Sequence, residues 1–171
     1  MDVKRKLLNH FLAALAYRTQ KALRGAPEGF GSFRVMAGVR TPVELVRHMT
    51  SVLGYARTHF IGGHYWPEPL ETLDEEIKRF HETLGTLAQH LRDGDQLLDG
   101  MSEERLLQGP FSDAMTHAGQ LALLRRLAGA PVPPENFIVA AIEEDRLGPD
   151  QPEPVSPDKH WPEAPPGWEH G

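Results

Sequence analysis

Asp113 and His117 stand four residues apart in FSDAMTHAGQLALLRRLAG, residues 111–129. At that spacing a carboxylate and an imidazole share one helix face, within reach of a single ion. On a wheel of about 100° per residue with His117 at zero, Asp113 falls near −40° and Gln120 near −60°. Leu124 and Leu121, at about −20° and +40°, bracket His117 on the same wheel. The polar residues therefore lie along the apolar stripe, with Arg126 on the far side and Arg125 on one flank. Burying an ionised carboxylate without a partner costs several kcal/mol or more, so the pattern calls for a compensating group. A metal ion, an Asp–His hydrogen bond or a basic side chain from another helix would serve. No lysine or arginine falls on the apolar seams assigned below, which disfavours the third. Gln120, one turn on, is placed to hold a ligand or a water, or to bond across to another helix.

His48 lies in an earlier segment, on the flank of a stripe formed by Leu45, Val46, Met49, Val52, Leu53 and Phe60. Alone it reads as a helix-edge histidine; the unmet carboxylate and imidazole at 113 and 117 make it a candidate ligand. Tyr55 and His59 continue its edge. His59 is about 16 Å along the axis from His48, too far to share one ion, so Tyr55 and His59 are candidates for substrate or bound-water contacts only. His10 projects away from its stripe, and His81 and His90 flank theirs. His64 sits in a loop beside Tyr65 and Trp66, and His160 and His170 lie near the C-terminus. These read as solvent-facing or locally hydrogen-bonded.

Four amphipathic patterns must position these residues. The first, about 2–24, carries Leu8, Phe11, Leu12, Leu15, Ala22 and Leu23 on one stripe and stops at Gly25-Ala26-Pro27. The second, 42–61, opens with Thr41-Pro42-Val43-Glu44, a threonine cap, a first-turn proline and a capping-box glutamate. The third, about 73–92, repeats the box with Thr72 and Glu75; its seam of Leu73, Ile77, Phe80, Leu84, Leu87 and Leu91 is wholly apolar. The fourth, about 110–128, begins near Pro110 and ends at Gly129. The expected class is all-α, a four-helix bundle over residues 1–148 followed by a proline-rich tail at 149–171. The connections at 25–40 and 94–109 are long for a bundle and leave room for short turns or a segment covering the site. ENFIVAAIEEDRLGPDQ reads equally as a short strand or a helix. Trp161 and Trp168 set a tail clamped onto the bundle, or onto a partner subunit, against a mobile one.

Composition narrows the functions. The 171 residues carry a formal charge of −6 and no basic stripe, so a nucleic-acid surface is not expected. There is no cysteine, hence no disulfide, thiolate ligand or cysteine nucleophile. The N-terminal apolar run is interrupted by Arg18 and Lys21 and reads as neither a signal peptide nor a membrane span. A cytoplasmic protein is the expectation.

Two stretches, AGVRTPVELVRHM (37–49) and DAMTHAGQLALLRRLAG (113–129), resemble the DinB/YfiT superfamily of metal-binding four-helix bundles. The second is similar to that family's H-x-x-x-H-x-G-Q pattern, and the likeness extends over residues 2–130 in element order. It implies a divalent ion held by His48 and His117, with Asp113 standing where the family usually has a histidine. Two histidines and an aspartate make a three-ligand set with open positions, and the harder oxygen ligand favours zinc, iron or manganese over nickel. Family members include thiol S-transferases using low-molecular-weight thiols, a mycothiol-dependent isomerase and the helical domain of ergothioneine-forming iron enzymes. The resemblance thus implies a small-molecule substrate such as a low-molecular-weight thiol, while charge and hydropathy lead to no expected nucleic-acid or membrane partner. It leaves a homodimer open. The expected chemistry is thiol transfer or hydrolysis by a metal-activated thiol or water. No residue stands out as a further general base. The rival expectation is a non-catalytic interaction protein whose Asp113 and His117 form a structural hydrogen-bond network.

Overall fold

In the computed structural model, which describes residues 2–98 and 100–158, the first stripe becomes α1 (Val3–Leu23). Leu8, Leu12, Leu15, Ala22 and Leu23 are buried, and Phe11 stacks on Phe111 with ring centroids 6.3 Å apart. Both capping boxes form. In α2 (Pro42–Ile61) Thr41 Oγ1 accepts from the Glu44 N–H at 3.4 Å, and Glu44 accepts from the Thr41 N–H at 2.7 Å. In α3 (Leu73–Asp93) the reciprocal bonds between Thr72 and Glu75 measure 3.2 and 3.0 Å. Each box satisfies N–H groups that have no partner within the helix, so these starts are decided locally.

The fourth helix departs from expectation. It begins before Pro110, as α4 (Glu103–Leu106) capped by Ser102, and runs through a wide π-type turn at Leu107–Phe111 into α5 (Ser112–Leu127). Gly109 leaves the helical region at φ −94°, ψ −106°, and Pro110 sits inside the turn. A proline here reads as a helix start because it has no N–H to donate. The widened turn absorbs that loss and keeps the chain helical on either side.

α1 packs against α3 and α5, and α2 packs against the same two helices, so α1 and α2 lie diagonally across the bundle. That diagonal accounts for the long connection between them, in which Phe30 is buried against the core. Among the described residues the regular structure is helical, with one isolated bridge between Glu135 and Pro157. No helix there is long and apolar enough to cross a membrane.

Two buried charges correct the reading of the seams. Glu76 of α3 is fully buried, so that seam is not wholly apolar; its carboxylate accepts from Arg47 Nε at 2.7 Å, from the Leu70 N–H at 3.0 Å and from Arg79. Arg125 of α5 is also buried, and its guanidinium donates to the carbonyls of Ala22, Arg24, Gly25 and Ala130. It closes the C-terminal end of α1, whose last carbonyls have no partner within the helix.

Beyond α5 the chain returns along the bundle. The segment that read as strand or helix is neither, apart from a short 3-10 turn at Phe137–Val139. Tyr17 donates to Glu135 at 2.6 Å, Lys21 to the Pro133 carbonyl, and Arg24 to the carbonyls of Gln151 and Pro152. Arg18 stacks over the Phe137 ring at 3.8 Å. The described part of the proline-rich stretch is thus clamped onto α1; Trp161 and Trp168 lie outside the described residues.

His81 supplies a further tie, from α3. It is buried, and its Nδ1–H donates to the Leu147 carbonyl at 2.6 Å. Burial pushes its pKa down, and the bond to Leu147 only partly opposes that. A histidine whose folded pKa lies below its unfolded value of about 6.5 withdraws stability as pH falls from 6.5 through the folded pKa. His81→Asn retains a donor toward Leu147 without the titration. Thermal melts at pH 7.5 and 5.5 (about one unit either side of the free value) should show a smaller loss in this variant than in wild type. Equal losses would remove His81 as the cause.

Candidate metal centre

His48 on α2 and Asp113 and His117 on α5 meet where these two helices face each other. One candidate ligand atom from each residue lies within 4.8 Å of the others. His117 Nε2 is 3.3 Å from Asp113 Oδ1, and His48 Nε2 is 3.7 Å from Asp113 Oδ2. Ligand atoms bound tetrahedrally at about 2.0–2.2 Å to one ion sit about 3.3–3.6 Å apart. The two contacts to Asp113 are near that spacing but use different carboxylate oxygens, and the group, which spans up to 4.8 Å, would draw together around an ion. The two imidazoles meet edge to face, ring centroids 4.8 Å apart.

Asp113 differs from expectation in depth. His117 is buried, but the Asp113 side chain keeps 46% of its surface exposed and that of His48 keeps 30%. A helical wheel gives azimuth without depth: Asp113 lies in the first turn of α5, at the rim. No buried carboxylate therefore demands compensation. The demand comes instead from the histidines.

His117 Nδ1 lies 2.8 Å from Gln120 Oε1. Against an amide oxygen, Nδ1 carries the proton and donates it, so in the neutral ring Nε2 presents its lone pair to the Asp113 carboxylate. A lone pair facing a carboxylate at 3.3 Å requires a positive species between them, either a proton or a metal ion. Gln120, exposed on its outer side, is placed to fix the ring and its tautomer, as expected of a group behind a ligand. His48 is held neutral: burial lowers its pKa most, the charges of Arg40 and His117 lower it further, and Asp113 opposes them. A neutral imidazole is the form that binds metal.

Tyr55 is 55% exposed and, with His48, lines a cleft of about 360 Å³. His59 lies against the Tyr55 ring at 4.8 Å and falls outside the metal-ligand cluster. The outer wall of this cleft, His64, Tyr65 and Trp66, was not singled out from the sequence as part of a site. Its placement depends on Gly54: a Cβ there would stand 2.0 Å from the Tyr65 ring. Glycine lets that ring lie on the α2 backbone, and the Arg57 guanidinium stands over the ring at 5.2 Å from its centroid. A glycine at a helix position facing an aromatic loop was the available signal.

No protein-family model, curated protein or solved structure matches the chain. The site is therefore read from its own residues. Two imidazole nitrogens and one carboxylate oxygen on rigid helices form a donor set suited to a divalent ion, and one open side leaves room for a further ligand.

Proposed function

We propose that this chain is a divalent-metal-binding helical bundle of the DinB/YfiT type, catalysing thiol transfer or hydrolysis on a small molecule. The observation that carries the reading is the placement of His117: its Nδ1 lies 2.8 Å from Gln120 Oε1, which is placed to accept its N–H, and Nε2 is left aimed toward Asp113 and His48. His48, Asp113 and His117 would hold the ion, and zinc, iron and manganese suit this mixed donor set better than nickel. When bound, a divalent ion here would lower the pKa of a thiol or water at an open position. The residues of the chain have separate tasks. His48 and His117 supply neutral nitrogens, Asp113 offsets part of the charge, and Gln120 orients the His117 ring. Tyr55 lines the cleft that His48 also lines and is placed to contact a substrate; His59 meets the Tyr55 ring edge to face.

A second reading has its own observation. At 3.3 Å, His117 Nε2 and Asp113 also fit an imidazolium–carboxylate pair in a non-catalytic interaction protein. Elemental analysis of tag-free protein separates the two, and the metal reading expects close to one divalent ion per chain. Thermal melts extend the test. Under the metal reading, chelation lowers the wild-type midpoint because the ion binds the folded state, and Asp113→Asn weakens metal retention. Under the pair reading, chelator has no effect, and Asp113→Asn costs no more than about 1 kcal/mol, since the carboxylate is half exposed. Protein purified without metal, and unable to take up added zinc, manganese or ferrous iron, would rule out the metal centre.

A further inference from the structure

Between the 34–40 loop and the end of α5 runs a second cleft, of about 670 Å³, within the size range of small-molecule sites. Its floor is Leu45 and Leu124, both buried. Its walls include Val35, Leu123 and Leu127, which remain 43%, 54% and 51% exposed. Leaving so much aliphatic surface in water is unfavourable, by roughly 25 cal/mol per Å². The cleft has two polar lining side chains. Gln120 is the residue bonded to His117, and Arg40 is close enough to His48 for its charge to be felt there.

The loop leaves Arg40 without a carboxylate. Gly38, at φ +81°, turns the chain just before Val39 and Arg40, which line the cleft ahead of the α2 cap at Thr41. Arg34 then pins the loop, donating to the Val39 carbonyl at 2.7 Å and to both oxygens of Glu44 at 2.9 and 3.1 Å. Glu44 also accepts from the Thr41 N–H, so the local acid is fully engaged. Arg40 has no hydrogen bond or ion pair among the described residues. In a chain of net charge −6, one unmatched guanidinium at the mouth of an aliphatic cleft defines a complementary ligand.

We infer that this cleft binds a small amphipathic anion, a medium-chain aliphatic carboxylate, with its head on Arg40 and its chain along Val35, Leu123 and Leu127. Treating the cleft as the substrate arm of the metal centre rests on the function proposed above. Its affinity for the anion does not, because that needs only Arg40 and the aliphatic walls.

The test uses the full chain, tag-free, with metal content measured first. Calorimetric titration compares octanoate with octanol and octyltrimethylammonium, and methyl NMR locates the bound molecule. Octanoate is expected to shift the Leu123 and Leu127 methyls and to bind more tightly than the cation. Arg40→Gln should weaken octanoate about tenfold while changing octanol less than about threefold. Leu127→Gln, at a half-exposed position that tolerates a polar side chain, should weaken both. Equal binding of octanoate and the cation, unchanged octanoate affinity in Arg40→Gln, or shifts confined to another surface would each overturn the inference. Metal-bearing protein that does not bind octanoate would overturn the cleft and spare the metal centre. Metal-free protein that binds it through Arg40 would do the reverse.

Discussion

His117→Ala should yield a folded protein that no longer retains stoichiometric divalent metal after desalting. His10→Ala, at an exposed position on α1, should retain it. Three residues would supply the donor set, and His117 is the most buried of them and the one bonded to Gln120. Gln120→Leu separates ligation from positioning. It leaves the imidazole in place but removes the acceptor that holds Nδ1 protonated, and loss of such a group lowers metal affinity by about 10–100-fold. The expected order of retention is wild type, then Gln120→Leu, then His117→Ala with essentially none. Elemental analysis and competition with a zinc chromophore measure it. Equal retention in the His117→Ala and His10→Ala variants would place the metal elsewhere.

This order shows which parts of the site can be read from a linear chain. The Asp113, His117 and Gln120 relation is helical i, i+4 and i, i+3 spacing, set by geometry within one element, and the hydrogen bond from His117 to Gln120 follows from it. The starts of α2 and α3 were legible for the same reason, since a capping box is four consecutive residues. Bringing His48 against α5 depends on the axial register of two helices, which no spacing within either encodes; the sequence supported it only indirectly, through the unmet Asp113 and His117 and through resemblance. Depth was illegible too. Asp113 and Arg125 lie within about 120° of each other on the wheel, yet the carboxylate is half exposed and the guanidinium is buried. What decides between them is what the rest of the chain places opposite: the open rim beside α2 for Asp113, the end of α1 for Arg125. Pro110 misled for a local reason, because a proline inside a π-type turn and one at a helix start show the same residue type.

Arg125→Met should be the most destabilising single change at a charged position outside the metal centre, by about 3 kcal/mol or more. Methionine keeps much of the apolar stem, so the loss falls on hydrogen bonding. The guanidinium meets four carbonyls, at 2.8 Å for Ala130, 2.9 Å for Arg24, 3.1 Å for Ala22 and 3.2 Å for Gly25. Replacing a buried polar group is nearly neutral only when its partners are replaced as well, and these partners are backbone that no substitution removes. The carbonyls at the end of α1 and after α5 would be left under-satisfied together. Arg125→Lys is the discriminating companion. It retains the charge, but a single ammonium cannot span four acceptors arranged around a planar fork, so its loss should be intermediate. Urea unfolding followed by circular dichroism gives both values. Metal content should be unchanged in each folded variant, because position 125 is about 12 Å along α5 from His117. A loss below about 1 kcal/mol for Arg125→Met would mean that water can replace the guanidinium at these carbonyls, and the end of α1 would then be held by apolar packing alone.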